Sequence, residues 1–504
     1  MEAVSLSLLV FSPMLAGLLI LSPMFPNNEV KIRRFAKGFA GLLFFYSLYI
    51  FLFFNTNVPT YQFLQRLTFP GGDDWLKPLG IQFTFAVDGI SMTMVLLTTF
   101  LTLLACIASK SSITKKHKLY YGLILILTTA VLGVFTAKDL VMFFLFWELE
   151  LIPMYFLISI WGSGRKEYSA IKFVLFTFFG SIFMLASIIA LAYFFYQSTS
   201  NLTFDMQVLS SSSDYYSLAA GIAMFLGFFI AFAVKLPVVP IHTWLPDAHV
   251  DAPTPVSMLL AGILLKMGAY GLIRINLQAF PAVFKLLAPF IVLLGVINIL
   301  YAAIIALAQK DLKKLIAYSS VSHMGIVLIG IGAMNVTGVT GAVFQMVAHG
   351  LISAGLFMMV GSIYLRTHTR KISELGGLAQ AMPKIYYFSS FLALASLGLP
   401  LLAGFSAETL VFYGAFTSTA FSNIQIFSIF AVFGIVLTAI YLLWMLQQVF
   451  CGAMFETRKR LQDITPHELV IYMSLVVAIV LFGLYPTALT DIFKSSISQI
   501  MLNI

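Results

Sequence analysis

Charge is scarce in this sequence: only 10% of its 504 residues are Asp, Glu, Lys or Arg, whereas 60% are hydrophobic. A water-soluble chain of this length carries about a quarter charged residues. The two cysteines, Cys106 and Cys451, each lie in an apolar run, which excludes a cysteine-held iron–sulfur cluster and a disulfide framework. The seven histidines are scattered along the chain. We therefore expect an integral membrane protein that itself binds no metal or redox cofactor.

Long apolar runs are abundant. A hydrocarbon core of about 30 Å requires about 20 apolar residues per helix, so segments of that length between charged or turn clusters predict transmembrane helices. Fourteen such segments are found near residues 4–24, 35–54, 88–109, 119–137, 139–161, 170–196, 217–238, 253–274, 286–308, 315–333, 338–365, 384–414, 424–450 and 469–493. The predicted fold class is therefore an all-α polytopic membrane protein with about 14 transmembrane helices.

The cations of the predicted loops alternate along the chain. Odd-numbered loops contain 21 of the Lys and Arg residues, and even-numbered loops together with the C-terminal tail contain 6. Because short cytoplasmic loops are enriched in Lys and Arg, odd loops are predicted to face the cytoplasm or stroma, with both termini on the opposite side. This bias accounts for the net charge of +9, so binding to nucleic acid is not needed to explain it.

Five ionisable residues fall inside or at the edge of predicted helices: Glu148, Glu150, Lys235, Lys266 and Glu408. An ionisable side chain at the bilayer centre costs about 2.5–3.5 kcal/mol on insertion scales, and such residues mark transport pathways. Snorkelling from a helix end is the alternative for each lysine. It is weakened for Lys235 by the apolar residues that follow, and for Lys266 by its central position.

Prolines predict two broken helices, one after Lys235 at Pro237 and Pro240 and one before Glu408 at Pro400. Broken helices at membrane depth are tolerated where they are buried or line a wet cavity. The spacings from Glu148 to His323 and from Lys235 to Glu408 are similar, with an offset near 174 residues. This offset predicts two inverted five-helix repeats, each with one broken helix.

The predicted division of the chain follows from this offset. It comprises an N-terminal three-helix segment (1–110), a first inverted repeat of helices 4 to 8 (119–274), a second inverted repeat of helices 9 to 13 (285–451) and a C-terminal helix (467–504).

Two histidines, His323 and His349, also lie in the middle of predicted helices. A lone histidine in an apolar helix is more often a hydrogen-bonded core residue than a functional one. Together with the buried carboxylates and lysines, they provide groups that exchange protons near neutral pH. A buried lysine can release a proton that an exposed lysine would hold. The predicted activity is therefore proton transfer through the membrane, and a receptor or purely structural role does not require these charges.

Several segments resemble the antiporter-like subunits of respiratory complex I. The resemblance is specific to the chain 4, or subunit M, type, looks most similar to the cyanobacterial and plastid form, and covers nearly the whole chain. The segments that carry it are Trp147–Pro153, Lys235–Pro237, Ile241–His249, Leu264–Gly271, Lys313–Gly325 and Gly404–Glu408.

The resemblance implies a proton-translocating subunit of the membrane arm of an NAD(P)H- or ferredoxin-dependent quinone oxidoreductase. The implied location is a cyanobacterial thylakoid membrane, with a bacterial inner membrane as the alternative. The implied roles are Glu148 and Lys235 in the first half-channel, Lys266 at the centre, and His323, His349 and Glu408 on the route to the other side. NAD(P)H or ferredoxin and quinone or plastoquinone would be used by other subunits, and the implied partners are neighbouring membrane-arm subunits and lipid.

Two alternatives share much of this pattern: a subunit of an Mrp-type cation/proton antiporter and a subunit of a membrane-bound hydrogenase. His323 favours the oxidoreductase, because Mrp-like and chain 5 sequences usually have Ser-Gln where this sequence has Ser322-His323. The electron donor of the parent complex stays open at this point.

Overall fold

The computed structural model describes residues 5–68, 76, 79–211, 215–453, 461–502 and 504. Four of the loop cations counted above, Lys77, Arg458, Lys459 and Arg460, lie outside these residues. The α-helices are α1 Leu6–Leu21, α2 Glu29–Leu52, α3 Gly89–Ser112, α4 His117–Thr136, α5 Leu140–Leu149, α6 Leu151–Trp161, α7 Lys166–Thr199, α8 Met206–Leu209, α9 Leu218–Lys235, α10 Trp244–Asp251, α11 Thr254–Leu259, α12 Leu265–Gly271, α13 Pro281–Leu307, α14 Leu312–Gly332, α15 Val336–Thr367, α16 Leu378–Ala381, α17 Pro383–Ser396, α18 Ala403–Phe416, α19 Ile424–Phe450, α20 Pro466–Leu484 and α21 Thr487–Leu502.

The all-α fold class is confirmed, with one small addition. An antiparallel hairpin, β1 (Gln62–Leu67) and β2 (Phe83–Val87), connects α2 to α3. Two π-helical segments, Leu260–Leu264 and Leu272–Leu277, flank α12 and join it to α11 in one continuous apolar rod over Thr254–Leu277. A short 3₁₀ turn, Ile372–Glu374, follows α15.

Twelve helices in the described part of the chain are long and apolar enough to cross a membrane. The other two of the fourteen predicted spans also have counterparts, because α1 is a shorter apolar helix and the span near 384–414 is divided into α17 and α18. The final predicted span is shorter than expected: α20 ends at Leu484, and the separate helix α21 follows it.

The odd-numbered loops meet on one face of the molecule and the even-numbered loops on the other. On the odd face, a cavity of about 120 Å³ is lined by residues from five different odd loops, namely Ser112, Ser163, Asp251, Lys313 and Arg370. On the even face, a cavity of about 260 Å³ is lined by residues from the N-terminal hairpin region, the loop after α7, the end of the rod and α21, namely Pro59, Thr60, Tyr61, Asp88, Gln207, Ser210, Ser211, Arg274, Gln278, Ser496, Gln499 and Ile500. This division into two faces agrees with the predicted order of spans.

The second helix of each predicted repeat begins in the same way. Asp139 caps α5 by accepting hydrogen bonds from the N–H groups of Val141 and Met142, and Asp311 caps α14 with the same pattern at Lys313 and Lys314. Each aspartate also forms an isolated antiparallel bridge, with Asp205 in the first case and Lys371 in the second. Asp139 belongs to an even loop and Asp311 to an odd loop, so the two caps lie on opposite faces of the molecule.

The helices that carry the predicted central residues are also the most buried. Lys266 lies on the rod Thr254–Leu277 and His349 lies on α15, and the most apolar part of each of these two helices is fully buried. His323 lies on α14, of which the corresponding part is 94% buried. In contrast, only 28% of α2 and of α20 is buried. The ionisable residues therefore occupy the centre of the helix bundle, where protein rather than lipid surrounds them.

Candidate proton-transfer site

The first helix break begins at Lys235, the last residue of α9. Pro237 and Pro240 lack N–H donors, so the helix cannot continue through Leu236–Thr243. The freed backbone groups find partners on other side chains. Trp244 donates its indole N–H to the carbonyl of Val234 at 2.9 Å, which fixes the end of α9.

Asn298, in the middle of α13, completes the hydrogen bonding of this break. Its side-chain oxygen accepts from the Val239 N–H at 2.7 Å, and its amide group donates to the Pro237 carbonyl at 3.1 Å. The side chain is fully buried. Because an unsatisfied buried backbone group costs about 1–3 kcal/mol, Asn298 stabilises the unwound segment next to Lys235.

The Lys235 ammonium forms an ion pair with Glu150, at the junction of α5 and α6, and both side chains are fully buried. The ring centroids of Trp147 and Phe173 lie 5.2 and 5.4 Å from the ammonium. This site gives the lysine one carboxylate and two aromatic faces in place of water. It is suited to holding a proton inside the membrane without exposing it to lipid.

Glu148, which sequence resemblance makes the partner of Lys235, occupies a different position. Its side chain, on α5, is only half-buried. Glu148 is near enough to attract Lys235 electrostatically, but the direct contact is made by Glu150. The resemblance therefore does not give the direct partner of Lys235, and the role of Glu148 in the first half-channel stays a prediction. Residues 148 and 150 point to different sides because they lie two positions apart on a helical path.

The helix of Lys266 packs closely against the helix of Lys235. Gly268 makes this approach possible, because a Cβ at this position would lie 2.7 Å from the Phe232 carbonyl oxygen and 2.8 Å from the Leu236 nitrogen. Gly268 is two residues beyond Lys266, and Leu236 directly follows Lys235. The two lysines are therefore carried by adjacent backbones at the first helix break.

Lys266 contacts His349 directly. Its ammonium lies 2.8 Å from His349 Nδ1 and 2.5 Å from the Ala261 carbonyl oxygen, and the lysine is fully buried. The π-helical segment supplies that carbonyl. Since a lysine ammonium has donors only, His349 Nδ1 accepts this hydrogen bond, and the neutral imidazole then carries its proton on Nε2.

His323 lies next to His349, with ring centroids 5.6 Å apart. Both of its nitrogens face backbone carbonyls: Nδ1 is 2.8 Å from the oxygen of Ser319, and Nε2 is 2.9 Å from that of Ser396. A neutral ring donates to only one of these oxygens, whereas a protonated ring donates to both. Ser396 is the last residue of α17, so His323 also completes the hydrogen bonding of the second helix break.

Glu408 ends the series of contacts. Its Oε1 lies 4.0 Å from His323 Nε2, and the carboxyl group is buried. A Cβ built on Gly398, in the break between α17 and α18, would be 2.6 Å from Glu408 Oε2, so the glycine leaves room for the carboxylate. Glu408 follows its break, whereas Lys235 precedes its own. The expected equivalence of Lys235 and Glu408 in the two repeats is therefore not exact.

The structure thus brings four of the six predicted residues into one central chain, namely Lys266, His349, His323 and Glu408. Lys235 forms a second group with Glu150, and Glu148 lies beside that group. Sequence reasoning singled out Glu150 as a buried charge but gave it no role, and it missed Asn298. The signal for Asn298 was present, since an amide in the middle of a 27-residue apolar helix is costly unless it has partners.

A second cluster of buried ionisable side chains lies at the odd face, beside the cavity described above. Lys313, counted above as a loop cation, is buried and donates to the Ala252 carbonyl at 2.5 Å. Asp251 lines the same 120 Å³ cavity and accepts a hydrogen bond from Ser169 at 2.6 Å. Burial raises the pKa of Asp251 above the usual value of a carboxyl group. The cavity on this face is therefore lined by titratable groups at the N-terminal end of α14.

Comparisons with known proteins agree with this arrangement. A family model described as the transmembrane part of NADH:quinone oxidoreductase and the Mrp antiporter matches residues 137–438. The chain is 45% identical to NAD(P)H-quinone oxidoreductase chain 4 of Acaryochloris marina, over 98% of this chain and 92% of the relative. It is 43% identical to the chloroplastic chain 4 of Physcomitrium patens, over 98% of both chains.

Two solved structures share the fold. One is a chain of respiratory complex I from Thermus thermophilus with bound NADH, with a TM-score of 0.86, 28% identity and coverage of 99% of this chain and all of that one. The other is a chain of the Mrp complex from Dietzia, with a TM-score of 0.86 and 20% identity over 98% of this chain and 97% of that one, which shows the fold alone. The chain belongs to the transmembrane family of NADH:quinone oxidoreductase and Mrp antiporter subunits.

Proposed function

We propose that this protein is a proton-translocating membrane subunit of an NAD(P)H-quinone oxidoreductase of the chain 4 type. Its curated relatives carry that name in cyanobacteria and in chloroplasts. Electron transfer from NAD(P)H or ferredoxin to quinone or plastoquinone belongs to other subunits of the complex. The proposed location is the thylakoid membrane, with the odd face toward the cytoplasm or stroma and both termini on the opposite side.

The central chain Lys266–His349–His323–Glu408 is the observation that carries this proposal. Its members come from four separate helices, α12, α15, α14 and α18, yet each lies next to the following one. Proton transfer between fixed groups requires short separations, or single waters between them, and groups that exist in two protonation states. Lysine, histidine and glutamate meet the second requirement.

The first proposed step joins Lys266 and His349. Lys266 transfers a proton from its ammonium to His349 Nδ1, which already accepts its hydrogen bond, and the lysine becomes neutral. The imidazolium formed on His349 then loses a proton from its other nitrogen, toward His323. His323 holds the proton by donating to Ser319 and Ser396, and Glu408 takes it up as a neutral carboxylic acid.

Lys235 and its carboxylate partners are proposed as the group that supplies Lys266. A proton on Lys235 is stabilised by Glu150 at contact and by Glu148 at longer range. A change in the distance between Lys235 and Glu150 changes how firmly the lysine holds its proton, so movement of the neighbouring helices is one way for the complex to drive transfer. The close packing at Gly268 places the receiving lysine on the adjacent helix.

The test is His349→Gln in the complete complex. Glutamine still accepts a hydrogen bond from Lys266 but has no second protonation state near neutral pH. We expect a normally assembled complex whose ratio of protons pumped to electrons transferred falls, with Gln345→Ala on the same helix as a control outside the central chain. An unchanged ratio in the assembled His349→Gln complex would refute the proposed route.

The Mrp-type antiporter is the second candidate. The likeness to the Mrp structure supports the fold alone, whereas the relatives named chain 4 are 42–45% identical over almost the whole chain. His323 favours the oxidoreductase, because its contacts with Ser396 and Glu408 give the histidine a place in the central chain. The subunits that co-purify with this protein will show whether it belongs to the oxidoreductase, to an Mrp-type antiporter or to a membrane-bound hydrogenase.

A further inference from the structure

A buried arginine lies on the same helical rod as Lys266, toward the even face. Arg274 was counted as a loop cation in the sequence, but the rod extends to Leu277 and the arginine is 5% exposed. Its guanidinium forms an ion pair with Asp88, the residue that caps α3. Sequence spacing alone placed it in water, and the π-helical segment Leu272–Leu277 places it inside the protein.

Aromatic rings and hydroxyl groups surround this pair. The ring centroids of Tyr61 and Tyr270 each lie 5.4 Å from the guanidinium carbon. Ser91 donates to Asp88 at 3.0 Å and lies 3.0 Å from the Tyr270 hydroxyl. The pair is therefore held in place from several helices and from the loop that precedes β1.

Water on the even face has access to this arginine. The cavity of about 260 Å³ on that face is lined by Tyr61, Asp88 and Arg274, together with polar side chains such as Gln207 and Gln499. A water molecule occupies about 30 Å³ in the liquid, so this polar space has room for several. Arg274 therefore stands between an aqueous cavity and the interior of the bundle.

The distance from this cavity to the central lysine is short. Lys266 and Arg274 are eight residues apart on one helical rod, which corresponds to roughly 12 Å along its axis. A proton on Lys266 that followed this direct path would reach the even face without passing His349, His323 or Glu408. Such a short circuit would dissipate the proton gradient across the membrane.

We propose that Arg274 is an electrostatic barrier that closes this direct path. An arginine side chain is always charged at physiological pH, so it repels a proton arriving from Lys266 or from the cavity. A fixed arginine excludes protons and cations in the same way in other membrane pores. Asp88 holds the guanidinium in position. This role rests on the proposed function, because it presupposes that Lys266 carries a proton.

The experiment measures passive proton flux. The complete complex is reconstituted into vesicles, and proton entry driven by a potassium diffusion potential is followed without NAD(P)H or quinone. In the double variant Asp88→Asn, Arg274→Gln, the two amides can hydrogen-bond and no buried charge is left unpaired. We expect proton permeability to rise about tenfold in this variant, because the electrostatic barrier to protons is removed.

Three controls isolate the charge. Arg274→Lys keeps a cation at the site and should leave proton permeability as low as in the unaltered complex. Lys494→Gln removes an exposed cation of α21 on the same side of the molecule and should likewise leave proton permeability unchanged. Adding His349→Gln to the double variant should leave the leak unchanged, since the direct path avoids His349. That result is separate from the pumping assay that tests the proposed function.

Two outcomes would overturn the inference. One is an assembled double variant whose proton permeability equals that of the unaltered complex. The other is an Arg274→Lys variant that leaks as much as the double variant, which would assign the leak to disturbed packing instead of charge. If the double variant does not assemble, Arg274→Gln alone serves, because Asp88 lines the aqueous cavity and can be hydrated there.

Discussion

Lys235 and Glu150 form an ion pair in which both side chains are fully buried. Removing two charges from water costs several kcal/mol per ion, and the mutual attraction offsets this only while the two groups stay together. A buried ion pair of this kind contributes little to the net stability of the fold. It is well suited to a protein that must change the charge of the lysine, since any separation of the pair favours release of the proton.

The first prediction concerns this pair. Glu150→Gln should reduce proton pumping by the assembled complex more than Glu148→Gln does, because Glu150 makes the direct contact with Lys235 and Glu148 acts from a greater distance. Loss of one partner of a buried pair costs about 3–5 kcal/mol, so thermal stability should also fall more for Glu150→Gln. Pumping and thermal inactivation of the two variants, measured side by side, check both statements.

A control comes from Lys235→Ala. This variant removes the proton carrier itself, so its pumping should be at least as low as that of Glu150→Gln. If an assembled Glu150→Gln complex pumps normally while Glu148→Gln does not, Glu148 is the functional partner and the ion pair with Glu150 is structural.

Much of the fold followed from composition. Apolar length and loop charge predicted the order of the spans, and the prolines at 237 and 400 predicted both helix breaks. Those properties act locally: a proline removes its own N–H, and a lipid-facing helix must be apolar along its length. The hairpin β1–β2 was missed because its strands are short and their alternation is hidden among the apolar residues around them.

The central chain was predictable in its members but not in its contacts. Buried Lys, His and Glu residues are recognisable in sequence because they are costly in a membrane. Their partners depend on the rotation and packing of whole helices, which is how Glu150 rather than Glu148 came to face Lys235. The same limit explains Arg274, whose burial depends on a π-helical segment that carries no distinct pattern in sequence.

The second prediction concerns Asn298 on α13. Asn298→Ala removes the hydrogen bonds to Pro237 and Val239, so the first break loses its fixed geometry while every titratable group remains. We expect pumping to fall and the complex to lose about 1–3 kcal/mol of stability. Asn201→Ala, at an exposed position on the even face, is the matched control and should have neither effect. Normal pumping by Asn298→Ala would mean that the function of Lys235 does not depend on the hydrogen bonds that Asn298 makes to the first break.

The third prediction concerns orientation. Single cysteines introduced at Lys115, on the odd face, and at Asn201, on the even face, both lie at exposed positions. Cys451 is exposed and is first replaced by serine, whereas Cys106 is buried. A membrane-impermeant thiol reagent added to the cytoplasmic or stromal side should label the cysteine at 115 and leave the one at 201 unlabelled. Labelling of 201 alone from that side would reverse the proposed orientation.

The fourth prediction separates charge from proton transfer at the centre. Lys266→Arg retains a positive charge and can still donate to His349, but arginine does not lose its proton in proteins. Pumping should therefore be abolished while assembly is largely kept. Ratios of protons to electrons in reconstituted vesicles provide the measurement. Pumping close to that of the unaltered complex would show that Lys266 acts only as a fixed charge.

The last prediction places the end of the route at Glu408. Its carboxyl group is buried 4.0 Å from His323 and borders the second helix break at Gly398. Irregular backbone of this kind is tolerated at membrane depth where it is buried in protein or lines a wet cavity, and α18 leads from the break to the even face. We therefore expect Glu408 to exchange its proton with the even side. The alternative is that Glu408 only holds the protonated form of His323 in position.

Two substitutions separate these roles. Glu408→Gln keeps the size and hydrogen bonding of the side chain but carries no exchangeable charge, whereas Glu408→Asp keeps the carboxyl group on a shorter stem. If titration of this group matters, pumping should be lost in the first variant and largely retained in the second, with normal assembly in both. Glu167→Gln, at an exposed position on the odd face, is the control for loss of a carboxylate and should pump normally. Equal loss in both Glu408 variants would assign the residue to structure, because then the shape of the side chain, and not its proton, would be what the site requires.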